Sequence, residues 1–245
     1  MSDTFVYDAM YSSRCREANE GAVVNDGDVV QLSEYESVPG HTCADVSLFA
    51  PDLDVMAYLL QDLRTLLRSA DAGKIDVWAH RPFTWEVHGL HRRTVVCEPI
   101  QIRDPQRACI VGFFGSRRTE LPYARMDGID VRLLDEFRGY PGILSYSSME
   151  LADDYWANLV VHVEPDDRDV WRTNSAHQHA VEMSPQLYTG VRIYNGHLLG
   201  GVAGSRAIEI DSTKYWDYEI EPTWKAIRVF DPPLTRVRRQ EPHLD

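Results

Sequence analysis

Between Ala108 and Tyr194 the hydrophobic pattern alternates between the two-residue period of strands and the 3.6-residue period of helices. That alternation restricts the chain more than any other feature. Ala108–Phe114 reads as a buried strand, and Asp130–Arg138 as a short helix with Asp130 near its cap and Gly139 past its end. Ile143–Leu151 and Tyr155–Val163 read as strands joined by the Asp153-Asp154 turn. Asp166–Glu182 reads as one helix, with Asp166, Asp167 and Asp169 at its positive end and Ser184-Pro185 as its stop. Thr189–Tyr194 is a last strand, closed by Asn195-Gly196. The order β-α-β-β-α-β predicts an α+β, ferredoxin-like unit, an antiparallel sheet with both helices on one face.

The rest of the chain is less regular. A helix from Pro51 to Ala70 is predicted by Leu53, Met56, Leu59, Leu60, Leu63, Leu66 and Leu67, which make one apolar stripe. Phe83–His88 and Thr94–Ile102 read as a hairpin linked by Gly89-Leu90-His91-Arg92-Arg93, and Val29–Tyr35 and Asp45–Phe49 as weaker strands. Asp104-Pro105-Gln106 is the expected boundary. The resulting division is a polar region 1–45, a partial ferredoxin-like or supporting region 46–104, a ferredoxin-like barrel domain 105–200 and an extended C-terminal segment 201–245 that covers the core. A degenerate tandem pair within one chain stays open beside that division.

Composition narrows the function. Lys and Arg number 25 against 38 Asp and Glu, a net charge of −13, which argues against duplex nucleic acid or an anionic membrane as partner. The basic tail of Arg236, Arg238 and Arg239 is a local exception. No apolar run is long enough to span a bilayer and Met1–Tyr11 lacks a signal-peptide layout, so a cytoplasmic protein is expected. Cys15, Cys43, Cys97 and Cys109 have no CxxC spacing and read as reduced thiols. Gly112-Phe-Phe-Gly115 matches no phosphate-binding loop. Trp78, His80, Trp85, His88 and His91 crowd the first hairpin, but no carboxylate or thiolate completes a metal set at usual spacing.

The run Asn158-Leu-Val-Val-His162-Val, an acidic helix start, then Trp171 with His177 six residues later resembles the antibiotic-biosynthesis-monooxygenase superfamily of dimeric α+β barrels over residues 108–196. The resemblance implies an oxidoreductase: most simply a cofactor-independent monooxygenase of an aromatic metabolite. The alternative is a haem-dependent relative, haem-degrading or aldoxime-dehydratase-like. It also implies a homodimer. Members without known activity leave a non-catalytic ligand-binding or assembly protein as a third reading. Haem-degrading members carry a Trp nine residues before the helix Trp and an axial His about ten after it; here those places hold His162 and Val181.

Along Trp156–His162, period-two alternation puts Trp156, Asn158, Val160 and His162 on one side and Tyr155, Ala157, Leu159 and Val161 on the other. The second set is the core face. The first suits a pocket wall for a small-molecule substrate, with His162 as base or polar anchor, Asn158 as an orienting group and Trp156 as a stacking wall. The same face could instead meet a partner sheet. Arg192, with Tyr194 beside it, is a second catalytic or binding candidate for a carboxylate or phenolate, with a salt bridge to one of the surplus acids as the competing reading, and Ser145 and Ser147 offer hydroxyls to the same cavity or else face water. His177 and His179 are candidate axial ligands only if haem is bound. Two residues apart, they point roughly 200° from each other around a helix and cannot jointly grip one metal.

Overall fold

The computed structural model describes residues 29–104, 108–119 and 131–235, except the side chain of Asp169. An α+β architecture is built on one mixed sheet of nine strands. They are β1 (Val29–Leu32), β2 (Pro82–Val87), β3 (Leu90–Val96), β4 (Ala108–Arg117), β5 (Ile143–Glu150), β6 (Tyr155–His162), β7 (Tyr188–Leu198), β8 (Glu209–Asp217) and β9 (Trp224–Thr235). Their order is β1-β9-β8-β7-β4-β6-β5-β3-β2, with β1 parallel to β9 and the other neighbours antiparallel. Helices α1 (Phe49–Asp71), α2 (Pro165–Arg172) and α3 (Ser175–Leu187) flank the sheet, and residues 131–136 are also helical. None of the described helices is long and apolar enough to cross a membrane.

The leucine stripe of α1 closes one face. Leu53, Met56, Leu59, Leu60, Leu63 and Leu67 pack on Val96, Ile110, Phe114, Leu159, Val161 and Ile210. The helix lies so close to β4 that a Cβ on Gly112 would collide with Met56, and on the other face of the strand one on Gly115 would collide with the Tyr188 ring of β7. Close approach therefore explains these two glycines. A buried polar knot pins the contact. Arg192 of β7 donates from Nε and Nη2 to the two oxygens of Asp52 at 2.7 and 2.9 Å, and the Tyr194 hydroxyl donates to Asp52 at 2.7 Å. Burial and the Asp52 charge push the Tyr194 phenol well above its ordinary value, so it remains a donor.

The structure departs from several sequence expectations for local physical reasons. Asp45–Phe49 is not a strand: Val46–Leu48 is a 3₁₀ turn whose cap, Asp45, accepts from the Ser47 amide at 2.8 Å. The hairpin link is shorter than expected, because His88 and Gly89 both take positive φ and close a two-residue turn between Val87 and Leu90. The expected helix Asp166–Glu182 is broken into α2 and α3 where Asn174 caps the second helix, accepting from Ala176 and His177 amides at 2.7 and 3.2 Å. Pro185 sits inside α3 rather than ending it.

The chain past Gly201, expected to cover the core, widens the sheet instead, as β8 and β9. A register shift between Ile210 and Ser212 hid β8: Ile210 and Thr213 share the α1 face although three residues apart. Among the described residues the first half adds a helix and the β2–β3 hairpin to this same sheet, not a second sheet of its own. The boundary expected at Asp104-Pro105-Gln106, Cys15 and the arginine tail fall wholly or partly outside the described residues.

Replacing Asp52 with Asn strands a buried guanidinium. Urea unfolding should show a loss of about 3–5 kcal/mol, whereas a loss under about 1 kcal/mol would mean the knot does not hold α1.

Candidate active site

The opposite face of the sheet is covered by α2, α3 and the segment at 131–139, and between them lies a cavity of about 160 Å³. β4 supplies Val111 and Phe113, β5 Tyr146, β6 Asn158, Val160 and His162, and β7 Val191 and Ile193. Arg168, Trp171 and Arg172 come from α2, and His177, Ala180, Val181 and Ser184 from α3. The polar face of β6 is thus covered by helices of its own chain, which removes the reading of it as a sheet-to-sheet subunit contact. Leu133 and Phe137 close one end, where Phe137 and Tyr140 pack against Trp171 with ring centroids 4.9 Å apart.

The helix break shapes this wall. Six residues along an unbroken helix would place His177 roughly 240° from Trp171. The turn at Asn174 instead brings the two rings edge to face at 5.8 Å. The Asn174 amide also donates to Glu136 and the Tyr140 hydroxyl, both at 3.1 Å, tying α3 to the 131–139 segment.

His162 is 1% exposed, and its Nδ1 has no hydrogen-bond partner. A buried polar atom without a partner costs on the order of 1–3 kcal/mol, which a ligand can recover. Burial first, then the charge of Arg168, then His177, push the imidazole down to about 3. Burial and Arg172 push His177 down to about 4. Both rings are neutral at neutral pH, so His162 rests as a hydrogen-bonding group. Asn158 accepts from Trp156 Nε1 at 2.6 Å through Oδ1, which leaves its NH₂ as the group for other partners.

Other expected site residues lie elsewhere. Arg192 and Tyr194 face α1 and are consumed by Asp52, so neither reaches the cavity. Ser145 and Ser147 pair with Val161 and Leu159 on that same α1 face, and Ser147 shares a 3.1 Å hydrogen bond with Thr94. Trp156 is on the cavity face but packs among Leu187, Tyr188, Val191 and Trp216, and serves to orient Asn158 rather than to line the hollow. His179 is exposed. Sequence reasoning missed Arg168 and Arg172; their i, i+4 spacing around Trp171 was the available signal.

Haem, the alternative cofactor, does not suit these residues. Cavities of about 150 Å³ hold single-ring molecules, and a tetrapyrrole is several times larger. Val181 stands as an apolar lining residue where an axial His was expected, and His179 points away. Among the described residues no three His, Cys, Asp or Glu side chains converge as a metal site. Cys43 and Cys97 are buried thiols pushed up to about 12, first by desolvation, and are unreactive at neutral pH.

No protein family matches the chain, and no curated protein matches its sequence. Among solved structures it is similar to protein SO0527 from Shewanella oneidensis, at 16% identity and a TM-score of 0.34 over 38% of this chain and 92% of that one. It is also similar to SnoaB, a cofactor-independent oxygenase from Streptomyces nogalater, at 15% identity and a TM-score of 0.31 over 38% of this chain and 91% of that one. Likenesses this distant leave the reaction to be argued from the cavity.

The two histidines make stability depend on pH. Unfolded imidazoles take up protons near 6.5, whereas the folded ones resist until about 4 and about 3. Stability present above pH 6.5 is therefore lost as pH falls through that window. Urea midpoints measured from pH 7 to 4.5 should show His162→Asn and His177→Gln each removing about one proton from the uptake on unfolding. Unchanged slopes in both variants would place the rings in water.

Proposed function

We propose that the cavity binds a small aromatic metabolite and oxidises it with dioxygen and no bound cofactor, as an oxidoreductase of the antibiotic-biosynthesis-monooxygenase type. The observation that carries this reading is the partnerless His162 Nδ1, buried in a hollow walled by aromatic and branched aliphatic side chains. The strand order β7-β4-β6-β5, with the 131–136 helix and α2–α3 on one face, supports a ferredoxin-like unit around it. A neutral imidazole accepts a phenolic proton once the phenolate formed beside it raises its proton affinity. The donors of Arg168 and Asn158 favour that anion.

An electron-rich phenol supplies every electron the reaction needs. One oxygen atom of O₂ enters the ring, the other leaves as water, and the phenol becomes a quinone. The exclusion of water by Phe113, Val160, Ile193 and Trp171 protects the intermediates between.

Oxygen uptake with a panel of small phenols, using protein freed of metal by chelation, tests the reading. Substrate-dependent uptake is expected, with His162→Ala lowering kcat by about 10²–10⁴-fold while the circular-dichroism melt persists. Full activity in that variant, or no uptake with any phenol, would remove the oxygenase assignment.

A further inference from the structure

Two polar groups on one face of β6 line the hollow without a partner among the described residues. One is His162 Nδ1. The other is the Asn158 NH₂: the Asn158 Oδ1 accepts from Trp156 Nε1 at 2.6 Å, and the amide nitrogen is left over. Four residues of extended strand separate the two, about 13 Å at about 3.3 Å per residue. β6 pairs with β4 without a register shift over this stretch, and Val160 between them stands opposite Val111. Both valines line the cavity. The site is therefore a slot with an apolar floor and a polar group toward each end. The two groups differ in kind. Nδ1 of a neutral imidazole accepts when the other ring nitrogen carries the proton, whereas an amide NH₂ only donates.

A hydrogen bond of about 2.9 Å at each end leaves about 7 Å between the ligand's own two polar atoms. On one benzene ring only para groups reach that far, and the second must stand one carbon off the ring. A volume of about 160 Å³ matches the cavities of about 150 Å³ that accept benzene, and three fused rings exceed it. We infer that the occupant is a single-ring phenol with a carbonyl para to its hydroxyl, the 4-acylphenol class, its hydroxyl donating to His162 and its carbonyl accepting from Asn158. This rests on the phenol cavity proposed above and adds to it the ring count, the substitution pattern and the second functional group. Acidity acts in the same direction. Burial above all holds the His162 ring down at about 3, so it is a weak base and calls for a phenol that gives up its proton readily. A para carbonyl is conjugated with the phenol oxygen, and the charge of the phenolate spreads onto it. The Asn158 NH₂ then donates to an oxygen that grows more negative as the proton leaves. That ionised form is the electron-rich species.

Calorimetric titration of the full chain at pH 6, where the free phenols keep their protons, separates these features. The probes are 4-hydroxyacetophenone, 3-hydroxyacetophenone, 4-isopropylphenol as the isostere without a carbonyl, and 2-hydroxyanthraquinone, which repeats the para relation on three rings. Binding of 4-hydroxyacetophenone should be at least about ten-fold tighter than that of the 3-isomer or the isostere, and the three-ring phenol should not bind. Asn158→Leu should weaken 4-hydroxyacetophenone by about ten-fold and leave 4-isopropylphenol within about two-fold, which a collapsed cavity would not do. His162→Leu should weaken both para ligands together by about ten-fold, and thermal melts accompany each variant. Equal affinity for the two acetophenone isomers, equal affinity for the isostere, or tighter binding of the three-ring phenol overturns this inference and leaves the aromatic cavity standing. Binding of none of the probes overturns both. Tight, para-selective binding together with no oxygen uptake from any acylphenol supports the inference and removes the oxygenase reading instead.

Discussion

A carboxylate on α1 meets a guanidinium and a phenol of β7 beneath a layer of leucines, and the arrangement of the molecule follows from that contact. Ionised groups as buried as Asp52 and Arg192 are tolerated only when geometry and hydrogen bonds offset their desolvation. The two-pronged Arg192 donation and the Tyr194 hydroxyl provide both. Because the pair has one good geometry, α1 has one good position over the central strands. The Arg192 guanidinium also lies 5.5 Å from the Phe114 ring and 5.6 Å from the Tyr155 ring, so its stem and face are used as well as its charge. One face of the sheet is thereby filled to contact density, down to the collision that a side chain at Gly112 would cause with Met56.

The other face is organised differently. Short helices rather than one long helix cover it, and their junction at Asn174 angles α3 so that His177 and Ala180 look back toward α2. A single amide makes that junction, satisfying two α3 backbone donors with its oxygen and fastening Glu136 and Tyr140 with its nitrogen. Small residues at the α3 wall, Ala180 and Ser184, leave the space that bulkier side chains would occupy. What remains is a hollow with an apolar lining and a few fixed donors, the composition expected of a small-molecule site. The Arg192 charge is matched by Asp52 on the packed face, and Arg168 and Arg172 line the cavity on the other.

Much of the strand content was legible because inward and outward residues alternate wherever one face is buried. β6 is the clearest case: Ala157, Leu159 and Val161 pack beneath α1, and Asn158, Val160 and His162 line the cavity. Legibility failed where a local irregularity broke the period. The shift between Ile210 and Ser212 concealed β8, and the Asn174 cap divided a helix whose composition reads as continuous. The site was legible in part. His162 and Asn158 stand where alternation placed them relative to their neighbours, whereas Arg192, Tyr194, Ser145 and Ser147 share a strand face with no cavity. Period-two reasoning sorts residues into two sets; it carries no information about which layer each set meets.

The sequence alone therefore determined element types over most of the chain, the apolar stripe of α1, and the two faces of β6, since these depend on neighbours a few residues apart. The tertiary structure decided which face is packed solid and which stays hollow. It also decided that Arg192 answers Asp52, 140 residues away in sequence, and that Arg168 and Arg172 reach the cavity. Those outcomes depend on contacts between distant segments, where local periodicity is silent and volume, charge and desolvation select the partner.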